Sequence, residues 1–499
     1  MDNAELTIAV VGLGHVGMPT ALGLAELGWR VLGADDDADK VRRIAAGELP
    51  FYEPGVEALL GRHLDSSRFR ATTDVPAAVE AADVIFVCVG TPQRDDGSAD
   101  LSQVESVARI IAQRLNGYKL VVEKSTSPVR TAAQIKRTIL RHRTGTNHEF
   151  DIAVNPEFLR EGSAMRDFFN PDRVVLGVES ERSRDLLLRI YRPLLQRLAE
   201  TSGTPLGVDD RVVVTDPATA ELMKHAANAF LAMKISFINM VADLCEATGA
   251  DVTQVARGLG QDPRIGAAFL RAGAGFGGYC LPKDGGLGYW AYRHILGFED
   301  GDSVFKMSTA AIDINDTRGL HVAELTRDSL RNMGRYIAGA RVLLAGASYR
   351  EDVGDTRYSG SELVLRKLAE MGAEISVHDP YVVHWYELES QDTYPAPGHS
   401  WARFFRNQQD LVNVRVQRDL PAALKGVEAM ILAVRHAPYL QLKPDDVVKW
   451  AGGPIAVVDC FGILADKDIG RYFELGCEVK ALGRGHIQRI KEKVRSSKA

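Results

Sequence analysis

Cys280 lies in the run Gly275-Phe276-Gly277-Gly278-Tyr279-Cys280-Leu281-Pro282-Lys283-Asp284, and a thiol so placed is a candidate nucleophile. A lone cysteine is more often a small core residue. Here Gly275, Gly277 and Gly278 expose the local backbone, and Lys283 brings a positive charge that favours thiolate. Asp284 would fix a water or assist a base if the local turn brings it close. Lys224 and Asn228 are four residues apart in a helix-like run and share a face. Lys224 could stabilise a developing alkoxide while Asn228 donates a bond or holds water, although a solvated helix face is the ordinary origin of such a spacing.

A second group of residues sits near the start of the chain. Gly12-Leu13-Gly14-His15-Val16-Gly17 follows an apolar run, Thr7 to Val11, and opens a helix-like run that extends to Leu27 before Gly28. In that context Gly12 permits a tight turn, Gly14 allows close approach of a pyrophosphate, and Gly17 lets the helix lie against the sheet. The phosphates would meet unpaired amides at the helix N-terminus. Asp35 ends the next strand, Arg30 to Ala34, and would accept bonds from both ribose hydroxyls, which favours NAD over NADP. Asp36 and Asp37 add to that preference, and Lys40 is a nearby positive charge that could sit over the adenine ribose. A turn used only for packing is the alternative.

A nicotinamide-dependent site with an essential thiol has a specific chemical meaning. Oxidation of an alcohol stops first at the aldehyde. Thiolate addition gives a thiohemiacetal, loss of a second hydride gives a thioester, and water releases the acid, so two NAD are consumed in succession. The alkoxide that develops in both halves calls for fixed donors or positive charge.

The elements that must position these groups read as two alternating regions around a helical one. Apolar runs at Val84 to Val89, Leu120 to Glu123, Ile152 to Val154 and Val174 to Val178 continue the first region, giving a parallel sheet covered on both faces over residues 1 to 208. Between 209 and 335 the texture is helical. Leu222, Ala226, Phe230, Met233, Phe237, Val241 and Leu244 recur on one face, Asp216-Pro217 supplies a start and Gly249 a stop, and a second long helix is predicted between Val304 and Met333. Such a surface suits a dimer contact. Alternation resumes at Arg341 to Ala345, Ile375 to Val377, Met430 to Val434 and Ile455 to Val458, so a second α/β domain is predicted over 336 to 499. Residues 382 to 419 lack clean periodicity and read as an inserted loop or lid. The fold class is therefore α/β, with two Rossmann-like parallel-sheet domains joined by a central helical domain.

Bulk properties exclude several classes. The 499 residues are 45% hydrophobic and 25% charged, and the formal charge of -6 gives no excess for a nucleic-acid or lipid surface. Cys88, Cys245, Cys280, Cys460 and Cys477 are odd in number and widely spaced, with no CxxC pair, which argues against a metal site or disulfide framework and suits the cytoplasm. No signal peptide is apparent, and no stretch reads as a membrane helix of roughly 20 apolar residues. The basic run of about 18 residues ending at Ala499 reads as a frayed, solvated tail.

With these readings in place, the sequence resembles the UDP-glucose/GDP-mannose dehydrogenase family. The likeness rests on Val11-Gly12-Leu13-Gly14-His15-Val16-Gly17, Phe51-Tyr52-Glu53-Pro54-Gly55, Val89-Gly90-Thr91-Pro92, Glu123-Lys124-Ser125-Thr126, Asn155-Pro156-Glu157-Phe158-Leu159-Arg160-Glu161-Gly162 and Pro171-Asp172-Arg173, in that order. Glu221-Leu222-Met223-Lys224 with Ala226-Ala227-Asn228, Arg264-Ile265-Gly266 and the cysteine segment follow. The resemblance implies Cys280 as nucleophile, Lys224 as alkoxide-stabilising cation, Asp284 in water activation, Glu157 and Thr126 in the water and proton network, and Asn228 holding the reacting group. It places Glu157, Phe158, Leu159, Lys224, Asn228, Phe276, Gly277 and Cys280 at the sugar nucleotide, with Arg264 reaching across a homodimer. For the cofactor NAD it implies Gly12, Gly14, His15, Val16, Gly17, Asp35, Lys40, Thr91, Ser125, Thr126, Glu161, Lys283, Arg350 and Arg357. Arg350 stands where the family usually has lysine, and Phe461-Gly462 where a basic side chain is common. The implied reaction is oxidation of the carbon-six alcohol of a nucleoside-diphosphate hexose, UDP-glucose first, with dTDP-glucose, GDP-mannose or a UDP-N-acetylhexosamine as alternatives. A silent dinucleotide-binding scaffold is a reading of a different class.

Overall fold

The computed structural model describes residues 6–94, 98–144, 148–202, 211–299, 301–389 and 408–498. They fall into two compact units, one reaching residue 227 and the other beginning at residue 228.

The first unit is built on eight strands: β1 Thr7–Val11, β2 Arg30–Ala34, β3 Phe69–Thr72, β4 Val84–Val87, β5 Lys119–Glu123, β6 Phe150–Val154, β7 Val174–Val178 and β8 Val212–Thr215. Their order in the sheet is β3-β2-β1-β4-β5-β6-β7-β8. Neighbours from β3 to β6 are parallel, whereas β7 runs antiparallel to β6 and carries β8 parallel to itself. The side-chain period of two sends Ile8, Val10, Phe86 and Val122 to a core with Met18, Leu22 and Trp29, and Ala9, Val11, Ile85 and Val121 to one with Val104, Ile111 and Ile135. Both faces are buried, so these strands read as continuous apolar runs. The order reverses between β1 and β4, and at such a switch point the strand ends leave a crevice for a ligand. The glycine turn after β1 and the Val89-Gly90-Thr91 segment after β4 both emerge there.

In the second unit β9 Arg341–Ala345, β10 Glu374–His378, β11 Val416–Gln417, β12 Ala429–Leu432, β13 Ala456–Asp459 and β14 Glu478–Ala481 form an all-parallel sheet of order β11-β10-β9-β12-β13-β14. The Ser303–Asn332 helix packs on the Gly360–Glu370 helix and on the sheet. Four strands were not evident in the sequence, namely β3, β8, β11 and β14, and β8 carries the first sheet past residue 208. The basic C-terminal run is a correction as well. Ile487–Lys498 is helical, with Ile487, Ile490 and Val494 packed on the sheet's core and Lys491 paired to Glu478 at 2.5 Å. Residues 390 to 407 of the irregular 382 to 419 segment lie outside the described residues. Its ends are anchored by buried Val382, Trp385, Leu388 and Leu411.

The Pro217–Thr248 helix gives residues to both units. Counter to the sequence reading, it is long and apolar enough to cross a membrane by length and composition, with mean hydropathy 1.3 over its best window. Yet Glu221, Lys224, His225, Asn228 and Asn239 along it are buried and hydrogen-bonded within the protein. A helix facing hydrocarbon would have to desolvate those groups without partners. Its apolar face is not buried: Phe230, Phe237 and Leu244 are about half exposed in the single chain.

Candidate active site

In the first unit the glycine turn is built for close approach. Gly12 has φ +95°, and a Cβ there would lie 2.7 Å from the Cys88 carbonyl oxygen. A Cβ on Gly17 would collide with the Gly12 carbonyl oxygen, so the Gly17–Glu26 helix starts tightly against the turn. At Gly14, by contrast, a Cβ would meet nothing within 4 Å. Val16 caps the helix without a side-chain bond and no acidic residue stands in its first turn. A helix start left open at Gly14 and uncapped by any side chain fits a pyrophosphate. Asp35 accepts from Leu13 N at 2.7 Å and Asp37 N at 3.1 Å. Lys40 Nζ bonds both Asp35 carboxylate oxygens at 2.9 Å, so this lysine engages the carboxylate directly.

Loops at the same sheet edge carry the other cofactor candidates of this unit. Thr91 Oγ1 donates to Thr126 O at 2.7 Å and Ser125 Oγ to Val89 O at 2.6 Å, stitching the ends of β4 and β5. His15 stacks on Phe51 at 4.1 Å and lies 4.0 Å from Glu161. Glu53 accepts from Gly162 N and Ala164 N at 2.8 and 2.9 Å, which explains the Phe51–Gly55 motif as a staple on the 160–164 loop.

Glu157 and Lys224, 67 positions apart in sequence, form a buried ion pair at 3.0 Å, and the other Glu157 oxygen accepts from Leu159 N at 2.7 Å. The Phe158 ring lies beneath both Lys224 and Arg173. Lys124 was not singled out by sequence reasoning. It is buried against Asn155, 3.0 Å from Oδ1, and burial pulls its pKa down to about 8 despite the nearby Glu157 carboxylate. Its signal was a lysine just past the apolar Leu120–Val122 run. Cys88 is an inert thiol, since burial pushes its pKa up to about 12. Glu221 was likewise noted only as part of a motif. It accepts from Arg130 N and Ala132 N at 2.6 and 2.8 Å and faces buried Glu123. Burial raises both carboxyls, and Glu221 raises Glu123 further.

In the second unit Cys280 is the first residue of the Cys280–His294 helix and the one exposed thiol of the five. The positive end of the helix dipole favours its thiolate. Lys283 and Asp284 follow about one turn on and pair at 3.0 Å, and Asn228 Nδ2 donates to Asp284 Oδ2 at 2.5 Å. Burial works to lower the Lys283 pKa, but Asp284, then Tyr279 and Cys280, overcome it and leave the ammonium above its ordinary range. Asp284 is therefore held between a cation and an amide.

The approach to Cys280 is fixed by groups that sequence patterns did not reveal. Asn239 accepts from Gly273 N at 2.9 Å, and Asn315 brackets Phe276, accepting from its N–H at 2.6 Å and donating to its carbonyl at 3.2 Å. An amide on a long helix has no periodic signature. Arg357 binds Asp355 through Nε and lies 4.8 Å from the Tyr279 ring centroid. Arg350 is half-buried, while Arg264 is 87% exposed at its side chain and paired with Asp262. The Phe461 ring packs on Gly273, where any Cβ would overlap it.

Three family models match in order. The NAD binding domain model covers residues 6–195, the central domain model 218–317 and the UDP binding domain model 343–466. The chain belongs to the UDP-glucose/GDP-mannose dehydrogenase family. It is 39% identical over 380 residues to UDP-glucose 6-dehydrogenase of Rhizobium meliloti, covering 75% of this chain and 82% of the relative. The Gallus gallus UDP-glucose 6-dehydrogenase is 37% identical over 474 residues, covering 92% and 89% of the two chains. Among solved structures, a UDP-glucose dehydrogenase from Pyrobaculum islandicum aligns with a TM-score of 0.76 at 34% identity, over 92% of this chain and 94% of its own. As a member of this family the chain is an NAD-binding oxidoreductase whose substrate is a nucleoside-diphosphate sugar.

Proposed function

We propose that this protein oxidises the carbon-six alcohol of UDP-glucose to the carboxylate of UDP-glucuronate, with Cys280 as the covalent nucleophile. The observation that carries the reading is the one exposed thiol, placed at a helix N-terminus beside the buried Lys283–Asp284–Asn228 group. UDP-glucose is favoured over other sugar nucleotides because most of the similar curated relatives are named for it.

The first oxidation yields the aldehyde. The Cys280 thiolate then adds to the aldehyde carbon, forming a C–S bond and placing the electron pair on oxygen. Loss of the second hydride from that carbon gives the thioester, and water displaces the sulfur to release the acid and regenerate thiolate. NAD, when bound, supplies the hydride acceptor in each half. Lys224 stabilises the alkoxide, its charge fixed in place by Glu157. Glu157 and Thr126 serve the water and proton network, Asn228 holds the reacting oxygen, and Asp284 orients the hydrolytic water. Phe158, Leu159, Phe276 and Gly277 line the sugar nucleotide. Gly12, Gly14, Val16, Gly17, Asp35, Thr91 and Ser125 bind the dinucleotide, with His15, Lys40, Glu161, Lys283, Arg350 and Arg357 around it.

A homodimer is part of the reading. The exposed Phe230, Phe237, Met240 and Leu244 need cover, and Arg264, turned outward here, would reach a partner's substrate. Five cysteines kept as thiols accord with a cytoplasmic location.

A panel of UDP-glucose, dTDP-glucose, GDP-mannose and UDP-N-acetylhexosamines with NAD tests the reading, counting NADH formed per acid. UDP-glucose should give two NADH per acid and the highest kcat/KM. No turnover on any member would overturn the enzyme reading, and one NADH with accumulating aldehyde would reject the four-electron route.

A further inference from the structure

The nucleophile's loop is pinned from behind by a buried histidine. His436 is fully buried after β12, and its Nδ1 accepts from Asp352 N at 2.9 Å. That bond places the ring proton on Nε2, which lies 3.1 Å from Asp379 Oδ2 and 3.2 Å from Ser348 Oγ. Asp379 Oδ2 also accepts from Ala347 N and Ser348 N at 2.7 and 3.2 Å, and Oδ1 from Tyr381 N and Val382 N. Burial opposes the Asp379 charge, but His436 and these amides hold the pKa at about 2, so the hub stays anionic. The histidine and aspartate thus grip the 346–358 loop at residues 347, 348 and 352.

The far side of the same loop presses on the residues just before Cys280. Gly278 N donates to Arg357 O at 2.8 Å. A Cβ on Gly277 would collide with the Tyr358 carbonyl, and one on Gly278, at φ +79°, would lie 2.6 Å from the Tyr349 ring. Close backbone contact of this kind transmits displacement, because packed interiors do not deform continuously.

We propose that His436 is a positioning residue for Cys280, acting through the 346–358 loop to fix the backbone from which the thiol projects. The proposal rests on Cys280 being the nucleophile. A displacement of about 1 Å at a reacting group can cost on the order of a hundredfold in rate.

The test compares His436→Phe, which keeps a ring but loses both nitrogen contacts, with His436→Asn, whose side-chain oxygen can still accept from Asp352 N. Three quantities are read on the full-length enzyme: kcat and KM for UDP-glucose, the alkylation rate of Cys280 by iodoacetamide, and thermal unfolding. The other four thiols are buried, so alkylation reports Cys280. His436→Phe should lower kcat about tenfold or more with KM changed less than about threefold, and slow alkylation about threefold or more. His436→Asn should restore most of both. Unchanged kcat and alkylation in His436→Phe, with only a lower melting temperature, would overturn the proposal. Should His436→Phe fail to fold, His436→Gln and His436→Asn decide: the glutamine loses the Asp352 contact, and equal alkylation and kcat in the two would sink the idea. Alkylation needs no substrate, so a wild-type enzyme inactive on every sugar nucleotide would be recognised as failure of the functional reading instead.

Discussion

Replacing Glu157 with Gln tests the buried pair that holds Lys224. The charges are 3.0 Å apart with both side chains at least nine-tenths buried. At an effective dielectric of about 20 their attraction is about 5 to 6 kcal/mol before desolvation. Removing one partner of a buried pair costs about 3 to 5 kcal/mol, chiefly because the remaining charge is left uncompensated. Glutamine still accepts a bond from Lys224 or Leu159 N, which puts the expected loss near the lower end, about 3 kcal/mol. For a body the size of the first unit this lowers the melting temperature by about 6 to 12 °C. Differential scanning calorimetry reads it directly, and a double-mutant cycle with Lys224→Met isolates the pair. Because Lys224→Met removes the stranded charge, the double variant should be more stable than Glu157→Gln alone. A Glu157→Gln protein melting within about 2 °C of wild type, or strictly additive effects in the cycle, would refute the reasoning.

Three further expectations follow from the geometry. Folding raises the pKa of Glu123 and Glu221, through burial first, so the native state binds more protons than the unfolded chain. Their contribution is most favourable below the ordinary carboxyl range and fades as pH rises through the raised native values; Glu123→Gln should flatten that decline in urea titrations between pH 5 and 8, and an unchanged slope would contradict it. Lys40 bonds both oxygens of Asp35, so it partly masks the carboxylate that disfavours NADP; Lys40→Ala should lower residual NADP turnover about tenfold while shifting the NAD KM less than about threefold, and improved NADP use would count against this role. Phe230→Glu with Leu244→Glu should yield a folded monomer by light scattering, whereas a persistent dimer would place the interface elsewhere.

Much of the scaffold was legible because strands buried on both faces read as near-continuous apolar runs. β1, β2, β7 and β9 coincide with their predicted spans for that reason. β3, Phe-Arg-Ala-Thr, and β14, Glu-Val-Lys-Ala, carry too few apolar residues over four positions to stand out. The C-terminal helix hid its Ile487, Ile490 and Val494 stripe inside a basic run. At the candidate site, Gly12, Gly17, Asp35 and Cys280 stand out in the sequence because turn geometry and thiol chemistry restrict residue type. The partners that fix them do not: Lys40 on Asp35, Glu157 on Lys224, Lys283 with Asn228 on Asp284, and Asn315 on Phe276 depend on side-chain pairings that no spacing encodes.

The central claim is a covalent bond to Cys280 during oxidation of the sugar. Wild-type enzyme turning over UDP-glucose and NAD should be quenched in acid within one turnover, digested, and its Cys280 peptide weighed by mass spectrometry. A hydroxylamine-labile adduct with the mass of the uronyl thioester on Cys280, absent from Cys280→Ser, is the predicted result. Uronate formation at the wild-type rate by Cys280→Ser, or two NADH per acid with no adduct at any quench time, would contradict it.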